Sequence, residues 1–168
     1  MKEIKLNRNF IAFVDDEDYD RVMEHTWCVT TNRVKSKESH YAITNLYEKG
    51  IKSTLTMHEF ILGKVEGLEI DHWDTNTLNN QKTNLRHLTH RNNCRNTPKR
   101  ADTTSKYKGV SWNKGHKKYK AYISPNEKMI HLGYFDDPIE AAEIYNTAAT
   151  LHFGEYAHLN VLEATFKN

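Results

Sequence analysis

Disulfide chemistry is close to excluded in this chain. Its 168 residues hold two cysteines, Cys28 and Cys94, far apart and in no CxxC pair. That argues against a cysteine framework and a four-cysteine zinc site, and for free thiols in a reducing compartment. Long apolar runs are missing as well. No stretch approaches the roughly 20 apolar residues of a membrane span. The first ten residues, MKEIKLNRNF, lack an apolar signal core. A cytoplasmic protein without membrane contact is expected. At 38% hydrophobic and 27% charged residues the chain reads as globular, one domain or two small ones.

Net charge is scarce too, only +2, but the balance hides an asymmetry. Between residues 85 and 131 stand twelve Lys and Arg against two acids, Asp102 and Glu127. A solvated charged face is the ordinary explanation of such a run. Here Tyr107, Trp112, Tyr119 and Tyr122 interleave with the lysines. Basic and aromatic residues together suit a polyanion, and nucleic acid above others.

Local patterning divides the chain. In residues 4–62, IKLNRNFIAFVDD alternates like a strand, and DEDYDRVMEH is a short helix with acids in its first turn. TWCVTT, HYAITNLYE and STLTMH are rich in β-branched and aromatic residues and read as strands. EFILG is a short helix stopped at Gly63. His25, His40 and His58 read as packing or surface residues. In residues 66–97, LEIDH is a strand, WDTNTLNN a turn, LRHLT a second strand and HRNNCRN a short helix. TPKRADTTSK is a polar, basic linker.

From residue 107 the pattern changes. KYKGVSWNK, KYKAYIS and KMIHLGYF are three successive strands. DPIEAAEIYNTAATLHFG is a helix with Asp137 as N-cap, Pro138 at its first position, Glu140 completing a capping box and Gly154 as its stop. Its alanines allow close packing on a sheet. Strand parity sends Tyr119, Ala121, Ile123, Ile130 and Leu132 inward. Lys118, Lys120, Tyr122, Ser124, Met129 and His131 go outward. Trp112 and Tyr119 are expected in the core. The outward face can enter a major groove.

The chemistry concentrates between Glu69 and Asn96. Phosphodiester hydrolysis needs an activated water, neutralisation of developing charge, and help for the leaving oxygen. The Asp71 carboxylate and the Asn93 amide oxygen suit one hard divalent cation, Mg²⁺ or Mn²⁺. His72 suits proton abstraction near neutral pH. Asn84 suits pinning the loop before the second strand.

Asp71-His72, Asn79-Asn80, Asn84-Leu85-Arg86 and Asn93 together resemble the HNH nucleases, in the version carried by phage and bacterial homing endonucleases. The resemblance implies a ββα-metal finger, His72 as general base, and Asp71 and Asn93 as ligands of one divalent metal. Asn84 becomes the family's middle asparagine. Products with a 5′ phosphate and a 3′ hydroxyl are implied too. Trp73 and Thr75 stand where the family often carries an aliphatic residue and a glycine, and the third position is Asn93 in place of a histidine.

YKGVSW, HLGYFDDPIEAAEIYNTAA and FGEYAHLN resemble the plant APETALA/ethylene-response-factor DNA-binding domain. That implies DNA contacts by Lys108, Ser111, Asn113, Lys118, Lys120, Tyr122 and His131. Arg86, Arg91 and Arg95 of the basic run join them. Several arginines and tryptophans of the plant domain are absent, so its GC-rich target is not carried over.

The expected architecture is α+β. A mixed scaffold with a ββα-metal core at 66–97 fills residues 1–97, a linker 98–106, a sheet-on-helix DNA reader 107–160, and a tail 161–168. The expected activity is metal-dependent cleavage of double-stranded DNA by a monomer, in a bacterial or phage-infected cell. The rivals are a non-catalytic DNA-binding regulator and an RNA-binding module.

Overall fold

The computed structural model describes residues 1–34, 37–97, 99, 104–126 and 128–162. Most of the expected linker, Pro98 and 100–103, and all of the tail after residue 162 lie outside them. The fold is α+β, with antiparallel sheets and four helices among the described residues. It separates into two compact units, Met1–Asn93 and Cys94–Asn168. No helix among the described residues is long and apolar enough to cross a membrane.

In the first unit β1 (Lys2–Lys5) pairs with β2 (Ile11–Val14), and α1 (Asp16–Met23) follows with Asp16, Glu17 and Asp18 in its first turn. A three-stranded sheet comes next: β3 (Cys28–Val34), β4 (Lys37–Glu48) and β5 (Ile51–Thr56), in that order. Helix α2 (Met57–Leu62) begins two residues earlier than the apolar pattern predicts, so Met57 and His58 leave the strand. Thr56 causes this. It caps the helix, its hydroxyl accepting from Glu59 N while Glu59 accepts from Thr56 N. Gly63, at φ 77°, ends the helix. The core gathers Val14, Val22, Trp27, Val29, Met57, Ile61 and Leu85, and Trp27 Nε1 donates to Val22 O at 2.8 Å.

The chain continues with β6 (Glu69–His72), a loop, β7 (Leu85–Leu88) and α3 (His90–Asn96), the predicted order; the first unit ends within α3, at Asn93, and the helix's last three residues belong to the second. Strands β6 and β7 are antiparallel, with Asp71 opposite Arg86 and His72 opposite Leu85. The scaffold holds the loop firmly. Phe13 N donates to Leu78 O, Asn80 N to Phe13 O, and the Asp15 carboxylate accepts from Lys82 N and the Gln81 amide.

In the second unit β8 (Val110–Asn113), β9 (Lys118–Ile123) and β10 (Ile130–Phe135) form an antiparallel sheet with β9 central. Helix α4 (Pro138–Phe153) packs on it through Ala141, Ala142, Tyr145 and Ala149. Its cap bond runs from Ile139 N to Asp137 Oδ1, one residue short of the expected Glu140. Gly109 is required by space: at φ 72° a Cβ there would meet the Tyr145 ring and lie 2.7 Å from Tyr122 O.

One strand breaks its alternation, and two packing expectations are corrected. Strand β10 bulges between His131 and Gly133, so Gly133 pairs with Ala121 and parity shifts by one residue. Phe135 therefore turns to the core, and Tyr134 comes level with Lys120 on the outer face. Ile130 is 40% exposed: it starts an edge strand, beyond the helix's cover. Trp112 is 39% exposed, packing edge-on against Tyr119 at the sheet's open end.

Candidate functional site

Glu69 and Asp71 lie two residues apart on β6, so both side chains leave the same face, about 7 Å apart. Asp71 is almost fully buried. Arg86 faces it from β7 and places both Nε and Nη2 3.0 Å from Asp71 Oδ2. The other side of that guanidinium lies over the exposed Trp73 ring, 4.8 Å from its centroid. Glu69 reaches α3: Asn93 Nδ2 donates to its Oε2 at 2.6 Å, and His90 Nδ1 lies 2.8 Å from Oε1. The Asn93 amide, and then His90, hold the Glu69 carboxyl below its usual range. The same bond turns the Asn93 nitrogen to Glu69 and its oxygen the other way. Asn93 is thereby tied to the face of β6 that carries Asp71.

His72 leaves the opposite face and is 5% exposed. Its Nε2 lies 3.5 Å from Oδ1 of the buried Asn80, whose Nδ2 donates to Leu78 O. A second histidine stands against it. The His58 ring meets the His72 ring at 5.1 Å and 89°, and Tyr41 lies 5.7 Å from His58 and 6.4 Å from His72. Thr56 Oγ1, 3.0 Å from His58 Nε2, holds that ring from the start of α2. Burial, then repulsion from His72, pushes His58 down to about 4. Burial also lowers His72, against opposing pulls from Asn80, Asp74 and Asp71. Both rings are therefore neutral at pH 7, the state a base needs.

Asn84 is buried and works on the loop. Its Oδ1 accepts from Asp74 N at 3.0 Å, and its Nδ2 donates to Asp74 Oδ1 at 3.0 Å and Asn79 O at 2.8 Å. Asp74 also accepts from Asn76 N and Asn79 Nδ2, so the turn after His72 is cross-braced.

Of the other residues expected to meet DNA, two turn inward. Lys108 Nζ donates to the carbonyls of Arg95 and Thr97, at the end of α3, and burial pushes its pKa down to about 8. Arg95 donates to Pro125 O and lies over the Phe153 ring. Inside a packed unit both cations satisfy orphaned carbonyls or cover an aromatic ring. Arg91 is exposed on α3. On the outer sheet face, cross-strand register forms rows: Asn113 with Lys118, Ser111 with Lys120 and Tyr134, and Tyr122 with His131. Lys118 pairs with Asp136 at 2.9 Å, and Lys120 lies over the Tyr122 ring. Tyr134 sits between His116 and His131, at 4.2 and 4.5 Å.

Sequence reasoning missed His58, Tyr41, Glu69 and Tyr134. Glu69 alone carried a signal: it precedes Asp71 by the two-residue strand period.

Among the described residues no three His, Cys, Asp or Glu side chains converge. A cation here would rest on the Asp71 carboxylate and the Asn93 amide oxygen, with water and phosphate completing its shell. That donor set fits a hard divalent ion.

No family model and no solved structure matches the chain. It is 30% identical over 158 residues to an uncharacterized HNH endonuclease of Acanthamoeba polyphaga mimivirus, covering 90% of this chain and 75% of that protein. That match runs through both units, and the chain belongs to the HNH endonuclease family.

Proposed function

We propose that the protein is a divalent-metal-dependent endonuclease acting on duplex DNA, with His72 as general base. The observation that carries this reading is the split of β6. Asp71 and the Glu69-held Asn93 share one face, and a neutral, braced His72 occupies the other. Mg²⁺ or Mn²⁺, when bound, neutralises charge on the scissile phosphate and assists the leaving oxygen.

The chain's own residues do the rest. Asp71 and Asn93 offer the oxygen ligands. Asn80 Oδ1 accepts from His72 Nε2 and orients the imidazole that takes a proton from water. Asn84 holds the turn that follows the base. Cleavage leaves a 5′ phosphate and a 3′ hydroxyl. The three-stranded sheet anchors the protein on DNA in the manner of the plant APETALA-like domain, through Ser111, Asn113, Lys118, Lys120, Tyr122, Tyr134 and His131. Lysine predominates on that face, so phosphate contact outweighs base readout. Arg91 adds phosphate contact beside the cleavage site. The protein acts as a monomer, and its setting is a mobile element or phage genome.

A second reading is a DNA-binding regulator without cleavage. The low exposure of Asp71 (7%) and His72 (5%) favours it. Plasmid nicking in Mg²⁺ or Mn²⁺, against the same reaction with a chelator, separates the two. Metal-dependent nicking that is lost in His72→Ala with DNA affinity retained is the expected result. No cleavage with any metal or DNA would refute the nuclease.

A further inference from the structure

We propose that Arg86 makes metal binding conditional on DNA: its guanidinium neutralises Asp71, so a divalent cation binds tightly only when a phosphodiester joins the site. This rests on the nuclease reading above and adds to it an order of assembly.

The register of β6 and β7 sets Asp71 directly opposite Arg86. The guanidinium meets Asp71 Oδ2 through Nε and Nη2, each at 3.0 Å. The pair is nearly dry, with side-chain exposures of 17% for Arg86 and 8% for Asp71. Separating a charge pair that has left water strands an uncompensated buried charge, so the pair resists being parted. Trp73 covers the guanidinium with its ring and limits its withdrawal. Arg86 is therefore a resident cation on the carboxylate that a metal would use.

Charge decides the consequence. Asp71 and Arg86 together are neutral. Glu69, on the same face of β6, already accepts from Asn93 and faces His90. Asp74 accepts from Asn76, Asn79 and Asn84 in the loop. A divalent ion added to this site meets a carboxylate already compensated, and a like charge beside it. A phosphodiester brings a negative charge that offsets that excess, and the transition state brings more. Each ligand then favours the other, and the coupling must be equal in both directions. Arg86, expected from sequence to be one more DNA contact, is the residue through which the two ligands sense each other.

Mn²⁺ titration followed by electron paramagnetic resonance tests this without relying on cleavage. His72→Ala serves as background so that duplex DNA stays intact, and DNA alone and Asp71→Asn serve as controls. A short duplex is expected to tighten Mn²⁺ binding about tenfold or more. Arg86→Gln is expected to tighten Mn²⁺ binding by the free protein about fivefold and to shrink the effect of DNA to under about threefold. Arg86→Lys, which keeps the charge, should keep most of the coupling. Equal Mn²⁺ affinity with and without duplex overturns the proposal even if Arg86→Gln fails to fold. Unchanged or weaker Mn²⁺ binding by a folded Arg86→Gln overturns it too. In both cases wild-type nicking stands. Mn²⁺ binding identical in Asp71→Asn would instead sink the metal site itself, and the coupling with it.

Discussion

Replacing Asn84 by alanine tests whether the loop after His72 is held as the hydrogen bonds indicate. The side chain is 8% exposed and makes three bonds, one from Asp74 N and two to Asp74 Oδ1 and Asn79 O. Each is worth about 1 kcal/mol net, and the groups left unpaired in a dry site cost at least as much as the bonds lost. The expected local loss is about 3 kcal/mol. The two units need not unfold together, so a local probe is required. Amide hydrogen exchange at Asp74, whose N–H points at Asn84 Oδ1, should accelerate about 100-fold, since each 1.4 kcal/mol is a factor of ten. The Asn80 amide, which donates to Phe13 O, should follow in part. Asn84→Asp sharpens the test. It sets a carboxylate against Asp74 Oδ1, so its damage should be greater at pH 7 than at pH 4. Exchange at Asp74 less than fivefold faster in Asn84→Ala would refute the bracing argument.

His58 makes the first unit acid-sensitive. Its folded pKa, about 4, lies below the unfolded 6.5, so the unfolded chain takes up the proton first as pH falls. This contribution is fully present above about pH 6.5 and is lost as pH falls toward 4. The shift corresponds to about 3 kcal/mol, and partial exposure of the ring brings the expected effect to about 2 kcal/mol. Urea unfolding at pH 7 and pH 4.5 should show the drop, and His58→Phe should flatten it; an equal drop in His58→Phe would assign the sensitivity elsewhere. Lys118→Ala with Lys120→Ala should weaken DNA binding and reduce the slope of affinity against log salt by about 2. An unchanged slope would mean that the outer sheet face does not touch DNA. Gly109→Ala should cost about 3 kcal/mol or prevent folding of the second unit, because of the Tyr145 ring and Tyr122 O. Gly50→Ala, at a hairpin tip with nothing within 4 Å, should cost only about 1 kcal/mol, so similar losses in thermal melting would contradict the packing argument.

Local order was legible wherever it has a short-range cause. The strand, turn, strand, helix order from Glu69 to Asn96 follows from period and from Asn-rich turn chemistry. Helix α4 follows from Asp137, Pro138 and Gly154. The start of α2 was misread because the β-branched run hid a capping box centred on Thr56. Parity held along β9 and, on β10, for His131 and Leu132; past the bulge one extra residue reverses the alternation, so Tyr134 joins the outer face with no signal in the sequence.

The sequence by itself determined the chain's local elements, its basic second half, and a carboxylate beside an imidazole on one strand, since these depend on neighbours a few residues apart. Only the tertiary structure decided which partners those groups meet: His58 against His72, Glu69 holding Asn93, Arg86 on Asp71, Lys108 turned to the end of α3. Such pairings join segments whose separation along the chain has no period. They are set by packing and by the need to satisfy buried polar groups, and these act only once the chain has folded.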